Sequence, residues 1–267
     1  MMAAYVKFAM ASGARVVPLI WGEPEQTTMD KLSLLNGVLF PGGGGDYVEY
    51  GRSILNKLME YNDNGLVYPA IGICLGFENM AIWAADKDRD ILEPYNAHHI
   101  SLPIYFTDEP ANSWVFGPLG DRAYDFENNN QTLNSHSWGV DPNSFNSDAG
   151  LGSFYKLTSI SYEPDIPYAP FTATMEAYDY PFFASQFHPE KTFTMFNDDS
   201  GINHSWESIE DNRYFADHFM SYARQNTHYA GDFATVQGMI VQNCRRVVTD
   251  TYYGEVYAFS STLGCIP

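Results

Sequence analysis

The sequence predicts an α/β fold, an open and mostly parallel sheet with helices on both faces, and three observations carry the prediction. Short apolar runs at 15–20, 36–40 and 70–73 are separated by polar or amphipathic stretches long enough to cross over, the pattern of parallel strands joined by helices. A sharp strand-to-helix turn is written at 68–78, Y-P-A-I-G-I-C-L-G-F-E. A later apolar run, 180–184, leads into Gln186-Phe187-His188-Pro189-Glu190. In open α/β sheets the residues just beyond the carboxyl ends of the strands converge on one crevice, so Cys74 and His188 can meet despite their separation in sequence.

Taken in order, residues 1–11 read as an amphipathic helix with Lys7 in its middle, not as a secretory leader with a charged head before an apolar core. Residues 15–20 and 36–40 are β-branched runs suited to buried strands. The glycine-rich Pro41-Gly42-Gly43-Gly44-Gly45 follows the second and lacks the Gly-Lys-Ser/Thr ending of a phosphate loop. Residues 47–61 put Val48, Gly51, Leu55, Leu58 and Met59 on one helical face, with Gly65 closing the helix. After Cys74, Phe77, Met80, Ala81 and Ala84 recur at helical spacing. Residues 86–94 are polar, and His98-His99 has no further metal-ligand spacing, so neither a metal nor another cofactor is expected. Residues 108–147 are loop-like, interrupted by 114–116 and 133–140. Residues 167–177 and 180–187 read as paired strands, and 209–227 as a closing helix. The tail offers 236–248 and 252–259 as candidate strands. Residues 1–267 are expected to form one domain, with 229–267 as its C-terminal extension.

Composition narrows the function. With 45% hydrophobic and 16% aromatic residues a substantial core can be buried, and there is no long uncharged apolar run of membrane-spanning type. A balance of 33 acidic against 14 basic residues, −19 in all, disfavours nucleic acid and anionic membrane surfaces as partners. An anionic substrate then requires a local positive patch, for which Lys191, Arg15 and Arg52 are the candidates. The acidity also suits a compartment in which carboxylates begin to protonate.

The chemistry is concentrated at two strand ends. Gly72 and Gly76 flank Cys74 as glycines flank the serine of a nucleophile elbow, and a helix N-terminus beyond the sulfur is expected to favour thiolate. Read alone, this cysteine is equally a small buried hydrophobe at a tight turn. Pro189 biases His188 towards an extended backbone, where residues two apart point the same way, so Glu190 can lie beside the imidazole. Cys74, His188 and Glu190 thus compose a triad of nucleophile, acid and base, and orienting carboxylate.

G-I-C-L-G-F-E together with Q-F-H-P-E resembles the class I glutamine amidotransferase superfamily. Residues 5–19, Y-V-K-F-A-M-A-S-G-A-R-V-V-P-L, the G-V-L-F-P-G-G run at 37–43, and H-P-E-K are similar to the γ-glutamyl hydrolases, over roughly residues 3–228. The resemblance implies a flavodoxin-like three-layer fold and cysteine-dependent hydrolysis of γ-glutamyl bonds in folate or antifolate poly-γ-glutamates through a thioester. It implies an oxyanion hole from the loop at Gly43 and the Leu75 N–H, and substrate contacts from Gly42, Gly44, Glu78 and His136. For His136, a hydrogen-bonded surface histidine is an equal reading. The family's first strand and signal peptide have no counterpart here, so the N-terminus is expected to be truncated and the sheet to lack its first strand. The implied location is a lysosome or vacuole, or outside the cell. The sequons at Asn130 and Asn203 agree with secretory passage, in which Cys244 and Cys265 could pair and leave Cys74 free. The implied partner is a folylpoly-γ-glutamate or a related small γ-glutamyl peptide, with a homodimer allowed. Two alternatives stay open: a glutaminase or amidotransferase subunit that delivers ammonia to a synthase, and a catalytically silent binding protein on the same fold.

Overall fold

The strands, in a computed structural model that describes residues 1–165, 169–196, 201–249, 254–260 and 264–265, are β1 (Val38–Phe40), β2 (Ala70–Ile73), β3 (Glu93–Leu102), β4 (Tyr105–Phe106), β5 (Thr132–Gly139), β6 (Tyr155–Tyr162), β7 (Pro170–Ala177) and β8 (Phe182–Ser185), before short C-terminal hairpins. Six of them form one sheet in the order β1-β2-β8-β7-β6-β4. β1, β2 and β8 are mutually parallel, with Val38 opposite Ala70 and Ala70 opposite Phe182, while β7, β6 and β4 continue the sheet antiparallel. β3 and β5 pair separately as an antiparallel ribbon. The parallel half carries the strand ends from which Cys74 and His188 emerge.

The principal helices are α1 (Ala3–Ala11), α2 (Glu25–Leu32), α3 (Val48–Asp63) and α4 (Leu75–Ala84), and the long helix Trp206–Ala223. Strand side chains alternate between faces. Val38, Phe40, Ala70 and Phe182 pack with Ile54 and Leu58 of α3 and Phe77 of α4. Ile71, Ile73 and Phe183 pack with Tyr5 and Phe8 of α1 and with Phe215 and Phe219 of the Trp206–Ala223 helix. This double cover explains why the three parallel strands read as near-continuous apolar runs. Ser205 caps the long helix by accepting from the Ser208 amide.

Several expectations are corrected. Residues 15–20 are not a strand: among the described residues they pair with no strand, and a cavity lined by both lies between them and β1. Residues 236–248 are not one strand. Asp232 caps a helix, Phe233–Met239, by accepting from the Thr235 amide, and only Arg246–Val248 is a strand, paired with Glu255–Tyr257. The first residues of the strand expected at 252–259, and residues 167 and 168 of the one expected at 167–177, lie outside the described residues. The C-terminal segment packs on α1 through a Lys7–Glu255 ion pair of 2.8 Å and a Met2–Val256 bridge. Cys244 and Cys265 form a disulfide, and Cys74 is a buried free thiol.

Candidate active site

Cys74 sits between β2 and α4 with φ 54 and ψ −111, a backbone strain that glycine would tolerate and cysteine pays for in order to aim its sulfur. Its amide donates to the Ser185 carbonyl at 2.8 Å, which locks the turn to the end of β8. The flanking glycines serve close approach. A Cβ at Gly76 would collide with the Phe40 carbonyl, and one at Gly72 would lie 2.5 Å from the Met80 sulfur. The G-x-C-x-G spacing therefore reflects α4 pressed against β1 and β2, with the positive φ on the cysteine itself.

His188 is reached from β8 by a short turn, and its amide donates to the Leu133 carbonyl of β5 at 2.8 Å. Its Nδ1 lies 2.8 Å from Glu190 Oε1, with both side chains buried. When Nδ1–H donates to the carboxylate, Nε2 is left as the basic nitrogen. Gly42 marks where the groups converge. A Cβ there would lie 3.0 Å from Cys74 Cβ and 3.2 Å from His188 Cε1. Gly43, with φ 138, and Gly44 follow in open space, so the loop at the end of β1 faces the same point as the sulfur and the imidazole.

Burial sets the resting protonation. It pushes the Cys74 thiol up to about 12, with Glu78 adding to the rise and Lys191 and the Leu75 N–H opposing it. The helix terminus thus acts in the expected direction, but desolvation outweighs it and the resting cysteine is a thiol. Burial also lowers His188 below the ordinary imidazole range, as does Lys191, against the attraction of Glu190. The pair is neutral at rest, and hydrogen bonds to Glu190 and the Ser135 backbone favour the protonated ring once a proton arrives.

Glu78, one turn along α4, accepts from Gln186 Nε2 at 3.1 Å, and burial raises its carboxyl to about 7. His136 is buried on β5, not at the surface. Its Nδ1 is 2.9 Å from the Trp138 carbonyl and its Nε2 3.2 Å from Asn134 Oδ1, and burial lowers it to about 3, so it is neutral. Of the three candidate cations, Lys191 is buried beside the triad, where its charge acts on Cys74 and His188. Arg52 is instead tied to Asp88 at 2.7 Å, and Arg15 is exposed at the rim of the cavity beyond β1.

Tyr5 was not singled out by the sequence. Its hydroxyl reaches from α1 to 3.5 Å from His188 Nδ1 and also meets the Gly42 backbone, so it touches both the histidine and the loop. The sequence placed this residue only in an amphipathic helix, at the start of the stretch similar to the γ-glutamyl hydrolases. Its single signal was a polar tip on a helix face otherwise made of small and apolar side chains. Among the described residues no cluster of His, Cys, Asp and Glu could hold a metal ion, and no helix is long and apolar enough to cross a membrane.

A profile of the glutamine amidotransferase class-I family matches residues 5–204. Gamma-glutamyl hydrolase 1 of Arabidopsis thaliana is 35% identical, in an alignment that covers 97% of this chain and 75% of that protein. Gamma-glutamyl hydrolase of Rattus norvegicus is 29% identical over 96% of this chain and 80% of its own. Gamma-glutamyl hydrolase B of Dictyostelium discoideum is 27% identical over 98% and 77%. The family match over three quarters of the chain, and the identity to hydrolases along nearly its whole length, make the chain a member of the glutamine amidotransferase class-I family and, within it, of the γ-glutamyl hydrolases.

Proposed function

We propose that this protein hydrolyses γ-glutamyl amide bonds in folate or antifolate poly-γ-glutamates through a thioester on Cys74. The observation that carries the reading is the buried 2.8 Å His188–Glu190 contact at the mouth of a strained cysteine turn. As the thiol attacks the γ-carbonyl, His188 Nε2 takes its proton, so the imidazolium forms only when the nucleophile is consumed. Glu190 orients the ring and stabilises that imidazolium. The oxyanion is assigned to the N–H groups of Leu75, at the start of α4, and Gly43, in the loop after β1. His188 then protonates the departing amine and, in the second half, activates the water that cleaves the thioester.

Substrate recognition is assigned to Gly42, Gly44, Glu78 and His136, with Lys191 supplying positive charge for an α-carboxylate in an otherwise acidic protein. A neutral His136, held by Trp138 and Asn134, adds no charge that would compete with His188. The lowered His188 keeps its base form into mildly acidic solution, which supports a lysosomal, vacuolar or extracellular setting. Incubation with pteroylpentaglutamate and, separately, with glutamine tests the reading. Shortened pteroyl chains with released glutamate or γ-glutamyl peptides are expected. Ammonia from glutamine without chain shortening would identify a glutaminase, and no product from either would identify a silent fold.

A further inference from the structure

The ribbon of β3 and β5 runs past the catalytic histidine. The His188 amide donates to the Leu133 carbonyl at 2.8 Å, and the Ser135 backbone hydrogen-bonds the imidazole, so β5 lies along one side of the ring. On β3, Ser101 is opposite Leu133, Ile100 opposite Asn134 and Ala97 opposite His136. His98 and His99 therefore share the place across from Ser135, which makes a β-bulge. Paired strands are about 4.8 Å apart, so the bulge sits one strand away from the residues that hold His188.

His99 has φ 52, a left-handed backbone that non-glycine residues adopt rarely and that is found where surrounding structure fixes it, often at ligand sites. Gly201 does the fixing here. A Cβ on it would collide with the His99 carbonyl, and Ser101 Oγ ties it to β3 by donating to the Gly201 carbonyl at 2.7 Å. Both histidines of the bulge are exposed, with ring centroids 6.3 Å apart, and His98 Nε2 is 3.1 Å from Ser137 Oγ. Lys191, whose charge acts on Cys74 and His188, acts on His99 as well. Lys191 is buried beside the triad and His99 is exposed at the rim of the same electrostatic neighbourhood. A poly-γ-glutamate carries one α-carboxylate per residue, so once Lys191 has met the one at the cleaved bond, the next must be met farther from the sulfur.

We propose that His99, with His98 beside it, is a specificity-determining residue for the glutamyl tail and takes the α-carboxylate that follows the one held by Lys191. The assignment rests on the hydrolase reading. Burial, Lys191 and His98 each lower His99 below the ordinary imidazole range, so it is neutral near neutral pH and gains its proton in acid solution. A carboxylate beside it favours the charged ring, so binding takes up a proton and tightens as the pH falls. The titratable groups around the bulge are His98 on β3, His136 on β5, Lys191, His188 and Glu190 on the turn after β8, and His204 in the segment that follows Gly201. A comparison of variants at residue 99 isolates its share from theirs.

The experiment measures binding of pteroylpentaglutamate to the full chain carrying Cys74→Ala, in which the ligand is not consumed, at about pH 5 and about pH 7, either side of the ordinary imidazole range. His99→Asn, a side chain that tolerates positive φ, should bind roughly two- to fivefold more weakly than the His99 protein at the lower pH and equally at the higher one, the size of an exposed ion pair. His99→Lys, charged at both, should bind more tightly than the His99 protein at the higher pH by a similar factor. The ligand with its α-carboxylates converted to amides should not distinguish residue 99, and the His99 protein should bind it no more tightly in acid. Identical pH dependence in His99→Asn, equal discrimination with the amidated ligand, or absence of binding would overturn the assignment. The chain with Cys74 intact is assayed for hydrolysis in parallel. The expected binding pattern without hydrolysis would support the carboxylate subsite and sink the hydrolase reading instead.

Discussion

Glu190→Gln perturbs one interaction at the centre of the site. Glu190 is fully buried, and its Oε1 is 2.8 Å from His188 Nδ1, where its attraction holds the imidazole's affinity for a proton up against burial. An opposite charge at that range moves a titrating group by about 1–3 pH units, each worth about 1.4 kcal/mol. Neutralising it therefore costs the imidazolium about 1.4–4 kcal/mol. Acylation passes through that imidazolium, so kcat/KM should fall roughly 10- to 1,000-fold. The direction along the pH axis is also fixed. Because Glu190 raises His188, its loss lowers His188 further, the base form persists to more acidic solution, and the acid limb moves to lower pH while the plateau drops. The assay is kcat/KM on a defined γ-glutamyl peptide across the acid-to-neutral range for both proteins. Superimposable profiles would refute the reasoning and leave Glu190 a structural strand-end residue.

Cys74→Ala should abolish hydrolysis while changing unfolding free energy by only about 1 kcal/mol, since a small buried side chain is exchanged for a smaller one; parallel loss of stability and activity, by denaturant titration and assay, would contradict it. Glu78→Gln removes a negative charge that helps hold the Cys74 thiol up, so the thiol should titrate at lower pH and react faster with iodoacetamide at a given alkaline pH; an unshifted alkylation profile would remove Glu78 from the electrostatics of the nucleophile. Tyr5→Phe should lower kcat by about tenfold or less with KM little changed, because the hydroxyl positions His188 and the Gly42 loop and does not react; a rise in KM alone would make it a substrate contact.

The turn at Cys74 and the approach of Glu190 to His188 were legible because each is written in local chemistry. The two glycines around Cys74 are required by close contacts with the Phe40 carbonyl and the Met80 sulfur, and such contacts leave the same spacing wherever a helix presses on a strand end. Pro189 set the two-residue geometry that brings Glu190 to His188. The parallel strands followed from apolar runs at β1, β2 and β8, which are buried on both faces, whereas the three-layer fold was implied by the family resemblance. Tyr5 was illegible since its role depends on where α1 docks against β1 and β8, which no periodicity encodes. The 15–20 run has the composition of a strand but not the neighbour that would make it one, and pairing is a property of the sheet and not of the segment. In the tail, the Asp232 cap overrode the β-branched residues that followed it. The resting thiol at Cys74 was missed for a related reason: helix-terminus stabilisation can be read from sequence, whereas the depth of burial that opposes it cannot.

The thioester is the claim on which the rest depends. Mixing the protein with a poly-γ-glutamate, quenching with acid within a few turnovers and digesting the product allows the Cys74 peptide to be weighed by mass spectrometry. A substrate-derived acyl mass on that peptide, labile to hydroxylamine and missing in Cys74→Ala, is predicted. Product formation at full rate with the Cys74 peptide unmodified at every quench time, or continuing in Cys74→Ala, would contradict covalent catalysis by this cysteine.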